Sequence, residues 1–248
     1  MKMSFYNKMA KVAGVATAGV WLMTTTSALA VPITFTGSDT TGANGTRSAN
    51  VSFEIVGGNL QVTLANTAAQ PTANYDATYS LLGVSFDFTG GTLTASSASL
   101  GSSTLIGGSM SAGTTIGDHW GFNGADSHGN FIAATGIGGI GHGAFGSNSK
   151  NVQGSDYGLI DWNSIGSANA SVKSPQVDNS IIFTFTDPNL PVTLTASDFS
   201  KIVFWYGTSE SEEHFCGTNN TPVPDGGATA LLLGVALTGV GLIRRKLS

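Results

Sequence analysis

Several stretches of this 248-residue chain hold residue types that could do chemistry. Ala125-Asp126-Ser127-His128-Gly129 resembles a nucleophile elbow, with alanine in the first glycine place. An elbow works because a strand-to-helix turn exposes the serine hydroxyl. His119, His128 or His142 could supply the base, since triad members need not be close in sequence. No helical pattern follows Gly129, and a polar loop explains the same residues. Gly136, Gly138 and Gly141 match the G-x-G-x-x-G spacing of a dinucleotide site. That site needs a helix opening on the last glycine, and His142-Gly143-Ala144-Phe145-Gly146 cannot form one. Asp118, Asn123, Asp126 and Asn130 offer oxygen ligands of the kind Ca²⁺ takes, with Asp118 and Asp126 the charged candidates. Their spacing is not that of an EF-hand. The three histidines could bind zinc, but no pair has the usual tight spacing. Glu210, Glu212, Glu213 and His214 form a dense charged cluster. Paired carboxylates hydrolyse glycosides when held about 5–9.5 Å apart, but neighbouring glutamates are more often just solvated. Trp120, Phe122, Tyr157 and Trp162 fall in loop-like surroundings. Trp120 and Trp162 are the candidate glycan contacts, since a planar ring can stack on a sugar; buried loop anchors are the alternative. None of these sets assembles a catalytic centre, so no catalytic residue and no enzyme activity is expected.

The elements that must position these residues read as β throughout. Val51, Phe53 and Ile55 alternate with Ser52 and Glu54; Leu60, Val62 and Leu64 alternate with Gln61 and Thr63. Gly57-Gly58 between them predicts a hairpin. The same pattern recurs at Val84, Phe86 and Phe88, then Gly90-Gly91, then Leu93 and Ala95. Later runs lie at 181–186, 192–196 and 201–206, the last apolar on both faces and therefore central. No helical period lasts three turns. Residues 100–155 are rich in Gly and Ser and predict long loops over one end. The expected fold is a single all-β, Gly-rich, jelly-roll-like sandwich of roughly ten strands over 31–206. Residues 207–222 read as a tether.

The two ends bracket this domain. Lys2, Lys8 and Lys11 precede an apolar stretch, 12–23, and Ala28-Leu29-Ala30 is a small-x-small cleavage site, so 1–30 reads as a signal peptide cut after Ala30. The exported region then carries four basic against fourteen acidic side chains, a formal charge of −10. Phosphates demand basic patches, so nucleic acid is excluded as a partner. Ca²⁺ and neutral polysaccharide are permitted, and no cofactor is expected beyond a possible Ca²⁺. Cys216 is the single cysteine, so no intrachain disulfide exists. At the C-terminus Val223-Pro224-Asp225-Gly226-Gly227 precedes the apolar run 228–243 and the basic tail 244–248 with Arg244, Arg245 and Lys246. As a helix, 228–243 spans roughly 24 Å, slightly short of a hydrocarbon core of about 30 Å. The basic residues stay cytoplasmic by the positive-inside rule.

A short motif, a hydrophobic helix and a basic tail together resemble the PEP-CTERM class of sorting signals. Pro224, Asp225 and Gly226 take the Pro-Glu-Pro places, as in Val-Pro-Asp variants of the class. The resemblance implies an exosortase-type membrane transpeptidase as partner, after export through the Sec machinery. A second resemblance covers most of the exported chain. Residues 51–68 (VSFEIVGGNLQVTLANTA), 82–91 (LGVSFDFTGG), Asp156-Tyr157-Gly158-Leu159, Tyr206-Gly207-Thr208 and Ser211-Glu212 resemble exosortase-dependent surface proteins. That likeness implies a structural or adhesive role at the cell surface, outer membrane or extracellular matrix, after transient anchoring in the inner membrane. It brings no catalytic residues. A carbohydrate-binding module, assisted by Ca²⁺ and contacting surface polysaccharide, is the alternative; a secreted hydrolase is more distant.

Overall fold

A computed structural model describes residues 31–40, 46–68, 77–106, 116–134, 145, 157–160, 175–207 and 211–220. In chain order its strands are β1 (Ile33–Asp39), β2 (Arg47–Val56), β3 (Asn59–Asn66), β4 (Leu81–Phe88), β5 (Thr94–Ser99), β6 (Leu105–Ile106) and β7 (Trp120–Asp126). They continue as β8 (Gly129–Ala134), β9 (Leu159–Ile160), β10 (Gln176–Asp178), β11 (Ser180–Thr186), β12 (Phe199–Tyr206), β13 (His214–Cys216) and β14 (Thr218–Asn219).

The all-β expectation is met. The alternation in β2 and β3 becomes burial: Val51, Phe53, Leu60, Val62 and Leu64 are all fully buried, with half-exposed polar residues between them. Gly57 and Gly58 both have positive φ, 59° and 80°, the backbone of a two-residue hairpin turn that glycine adopts without strain. Val56 pairs with Asn59 across it, which fixes the register of the whole hairpin.

Two sheets form. One is six-stranded, in the order β14-β1-β2-β3-β11-β5. The other has eight strands and is curled and partly closed. Its path runs β13-β12-β4-β9-β10-β6, with β8 also on β4 and β7 on β8. It branches because β4 gives one edge to β12 and shares the other between β9, at Leu81, and β8, at 83–86. The expected sandwich of about ten strands is corrected accordingly: fourteen short strands occur among the described residues, and the second layer curls.

Three local expectations differ from the structure. Gly90-Gly91 does not close a hairpin; β4 and β5 lie in different sheets, so the glycines carry the chain across. Gly91 has φ +148°, and Thr92 N donates to Asp187 Oδ2 at 2.6 Å. The run 192–196 is not a strand. Val192 is 90 % exposed, and Asp198 Oδ2 ties down Thr195 N and Oγ1 at 2.6 and 2.9 Å ahead of β12. The described part of 100–155 contains β6 and the β7–β8 hairpin.

The sheets share one core. Phe53 of β2 stacks on Phe199 of β12 at 3.9 Å between centroids and meets Phe86 of β4 edge-on at 5.0 Å. The apolar run of β12 is central, as its two-sided pattern predicts: it lies between β13 and β4, and Ile202, Phe204, Trp205 and Tyr206 are buried. Residues 214–219, assigned to a tether from sequence, form β13 on β12 and β14 on β1, so this segment joins both sheets before the chain leaves at Asn220. Asn220 N still donates to Thr34 O at 2.8 Å. The apolar run 228–243, the cleavage site at Ala28 and Ala30, and the sorting residues 223–227 and 244–246 lie outside the described residues. Among the described residues no helix is long and apolar enough to cross a membrane.

Candidate functional site

The most elaborate polar arrangement sits where the ends of β2, β3 and β12 meet. Arg47 occupies the inward phase of β2, in step with Ala49, Val51 and Phe53, and is 5 % exposed. Its Nε donates to Thr78 O at 3.0 Å, and its guanidinium lies over the Tyr79 ring at 5.3 Å. Nη1 is 3.2 Å from Glu213 Oε2 and 3.8 Å from Asp39 Oδ2, its cross-strand partner. Neither contact is aligned as a hydrogen bond, so the buried Nη1 is held by ion pairs alone.

Behind Arg47 lies a satisfied network. The Tyr206 hydroxyl is shared between Ser48 O at 2.8 Å and Asn66 Oδ1 at 3.1 Å. Asn66 Nδ2 donates to Tyr79 O at 2.9 Å and Leu159 O at 2.7 Å. Burial pushes the Tyr206 phenol well above its ordinary range, and the nearby Arg47 charge only partly opposes this. A linkage follows. The unfolded chain ionises this tyrosine above about pH 10 and the folded chain does not, so stability is full below that pH and falls above it. The fall is bounded by about 1.4 kcal/mol per pH unit. Tyr206→Phe is expected to cost about 1 kcal/mol at pH 7, because Ser48 O keeps Thr67 N and Asn66 Oδ1 keeps Ala68 N. Urea midpoints measured from pH 8 to 11 should fall less steeply for the variant; equal slopes would show that this hydroxyl does not carry the alkaline limb.

In front of Arg47 opens a cavity of about 570 Å³, lined also by Tyr206, Ser211, Glu212, Glu213 and His214. Gly207 forms part of its wall with φ +102°, and a Cβ there would run into the Glu212 carboxylate. A second cavity of about 450 Å³ shares Ser211 and His214 and adds His128, Val203 and Trp205. Here His214 stacks on Trp205 at 4.8 Å, and His128 meets the same indole edge-on at 4.8 Å. Trp205 Nε1 is held by Ser85 Oγ at 3.1 Å. Ser211 and His214 line both cavities, so a groove along 211–214 reaches Arg47 and Tyr206 in the first and Val203 and Trp205 in the second.

The sequence-derived candidates fare differently. Asp126, Ser127 and His128 form the β7–β8 turn, with Asp126 paired to Gly129. Asp126 Oδ1 and Ser127 Oγ both meet the same His128 nitrogen, Nδ1, at 2.6 and 3.3 Å. A triad needs the acid on one ring nitrogen and the serine on the other. Asp126 Oδ1 also accepts His128 N at 2.9 Å, so these contacts cap a turn. Burial pushes the Asp126 carboxyl up, but the His128 amide and ring and the Ser127 hydroxyl outweigh it and hold the group below its ordinary value.

Trp120 is fully buried at the start of β7, not in a loop, and packs on Phe183 at 5.1 Å, so it presents no ring to a glycan. His119 stacks on Tyr157 at 3.5 Å and anchors the same region. Trp162, His142, Glu210 and Gly136–Gly141 lie outside the described residues. Asp118 and Asp126 do not share an ion: they flank opposite ends of β7, and at about 3.3 Å per residue that strand separates them by roughly 20 Å. Among the described residues no group of three or more His, Cys, Asp or Glu could hold a metal.

Residues 222–247 match the VPDSG-CTERM motif. The tail is therefore a CTERM-type sorting signal of the Val-Pro-Asp pattern, with Gly226 where that pattern has serine. The match is to this pattern and not to a particular Pro-Glu-Pro subtype, and it covers the tail alone. No curated protein and no solved structure matches the chain. Such a signal supports a surface or extracellular placement reached through an exosortase-type transpeptidase.

Sequence reasoning named none of Arg47, Asn66, Trp205 or Tyr206 as a candidate site residue, although Asn66 and Tyr206 stand in the segments that carry the surface-protein resemblance. Arg47 did leave a signal: a charge in phase with Ala49, Val51 and Phe53 points inward and must meet polar partners there.

Proposed function

We propose that this chain is exported by the Sec route under its N-terminal signal and held in the inner membrane by 228–243. An exosortase-type transpeptidase then acts at Val223–Gly227, and the β domain takes a structural or adhesive place at the cell surface or in the extracellular matrix. The observation that carries this reading is the VPDSG-CTERM match at 222–247. The fold supports it. Among the described residues the last strand ends at Asn219, and in sequence Asn220–Pro222 lie between it and the motif, a reach of roughly 14 Å when extended. Pro222 and Pro224 favour extended backbone in the residues before them, the form a transpeptidase can grip.

The test is Asp225→Ala in the producing cell. The variant should be exported normally, because the N-terminal signal acts independently. It should then accumulate in the inner membrane with its tail attached, with surface-released protein falling at least tenfold. Fractionation and mass spectrometry of the C-terminus read both quantities. Processing at the wild-type rate would remove Asp225 from the recognition motif, and an intact tail on fully exported wild-type protein would leave only a membrane anchor.

A further inference from the structure

The sorting signal accounts for the tail but not for the groove beside Arg47. We propose that this groove binds a neutral polysaccharide, with the Arg47 guanidinium and the Glu212 and Glu213 carboxylates hydrogen-bonding sugar hydroxyls and the His214–Trp205 stack facing a sugar ring. This rests on the surface placement argued above and gives the adhesive role its ligand class.

The first support is the Arg47 guanidinium at the wall of the larger cavity. Its Nη1 is ion-paired to Glu213 at 3.2 Å and to Asp39 at 3.8 Å, yet neither carboxylate is aligned to accept a hydrogen bond from it. A ligand oxygen at that wall can accept from the guanidinium. The oxygen does not belong to an anion. Asp39 and Glu213 flank the guanidinium, and Glu212 lines the same wall, so acidic groups outnumber Arg47. Phosphate, sulfate or uronate would meet that excess of like charge. A hydroxyl is neutral and both accepts and donates, so one sugar can accept from Arg47 and donate to a glutamate beside it.

The second support is the aromatic floor. His214 is exposed on edge strand β13 and stacks on Trp205 with an interplanar angle of 27°. Trp205 is in turn fixed by Ser85, Phe131 and His128. A planar imidazole stacked on a held indole presents a flat π-face that can pack on sugar C–H groups. Size is the third support. Single small-molecule pockets run about 300–1,000 Å³. Two cavities of about 570 and 450 Å³ joined through Ser211 and His214 accommodate consecutive residues of a chain.

The experiment uses the purified full chain in a detergent without a sugar headgroup. Isothermal titration is run with cellohexaose, laminarihexaose and chitohexaose, and with hexagalacturonate as the acidic comparison. At least one neutral hexasaccharide should bind, hexagalacturonate should not, and affinity should fall at least tenfold in His214→Ala and in Glu212→Gln. Both changes lie on the 211–214 segment, where His214 is exposed and Glu212 half-buried, and unchanged thermal unfolding would show the fold intact. Silence with all three neutral probes, preference for hexagalacturonate, or unchanged affinity in both variants would overturn the proposal. Tail processing is scored on the same variants. Processing at the wild-type rate with no glycan binding sinks the ligand assignment alone, whereas an unprocessed wild-type tail sinks the sorting reading.

Discussion

Phe53→Ala is expected to destabilise the domain by about 3–5 kcal/mol, the range for truncating a fully buried phenylalanine. The ring has no exposed surface and touches three others: Phe199 at 3.9 Å, Phe86 at 5.0 Å and Phe35 at 6.1 Å. Phe35 belongs to its own sheet, but Phe86 and Phe199 belong to the other, so the substitution opens a void at the contact between layers. A neighbour cannot simply move in, because each of these rings is itself packed in the core. A domain of this size commands only about 5–15 kcal/mol in total, so Phe53→Leu is the companion, expected to lose about 1–2 kcal/mol. Val192→Ala, at a site 90 % exposed, should stay within about 0.5 kcal/mol. Urea unfolding reads all three. A loss below about 1 kcal/mol for Phe53→Ala would mean the sheets do not pack through this ring.

Asn66→Ala should cost about as much, 3–5 kcal/mol, by a different route. The amide uses its full hydrogen-bonding capacity: two donors to Tyr79 O and Leu159 O, and Oδ1 accepting from Ala68 N and the Tyr206 hydroxyl. Asn66 ends β3 in the six-stranded sheet, while Leu159 and Tyr206 lie on strands of the other. Alanine leaves the Ala68 amide and two carbonyls short of partners in a water-poor place, and each such loss costs about 1–3 kcal/mol. Asn66→Asp separates polar from steric effects. A carboxylate keeps the shape but turns negative oxygen toward two carbonyls, so its cost at pH 7 should match or exceed that of alanine. Acid should recover part of it, since a protonated carboxyl regains a donor. If Asn66→Asp were as stable as wild type at pH 7, the network would not be what holds the sheets in register.

These two residues show where sequence reading reaches its limit. The alternation around Phe53 predicts that it is buried, and it is. The same pattern says nothing of which rings it meets, because period-two alternation is identical whichever sheet a strand joins. Gly90-Gly91 makes the point from the other side. As residues they resemble the Gly57-Gly58 turn, yet one pair folds a hairpin and the other crosses between layers, a choice made by what β5 packs on. The Ser127–His128 pair and Trp120 are decided on a related ground: a residue type states what chemistry is available, while burial and the ring nitrogen actually contacted decide whether it is used.

The sequence by itself determined the sorting class, the β character, the Gly57-Gly58 hairpin and the absence of an intrachain disulfide. Each of these is local. A transpeptidase reads a short extended segment, a strand declares itself by alternation over a few residues, and one cysteine cannot pair within its chain. Only the tertiary structure decided the curled second sheet, the Asn66 network and the groove. The groove draws Arg47 from β2, Trp205 from β12, His128 from the β7–β8 turn and Glu212 to His214 from the segment leading into β13. No spacing links residues 47, 128 and 205 along the chain. They reach the linings of these two cavities because hydrophobic burial closes one sheet against the other, and what stands at that junction is set by the packing of the whole domain.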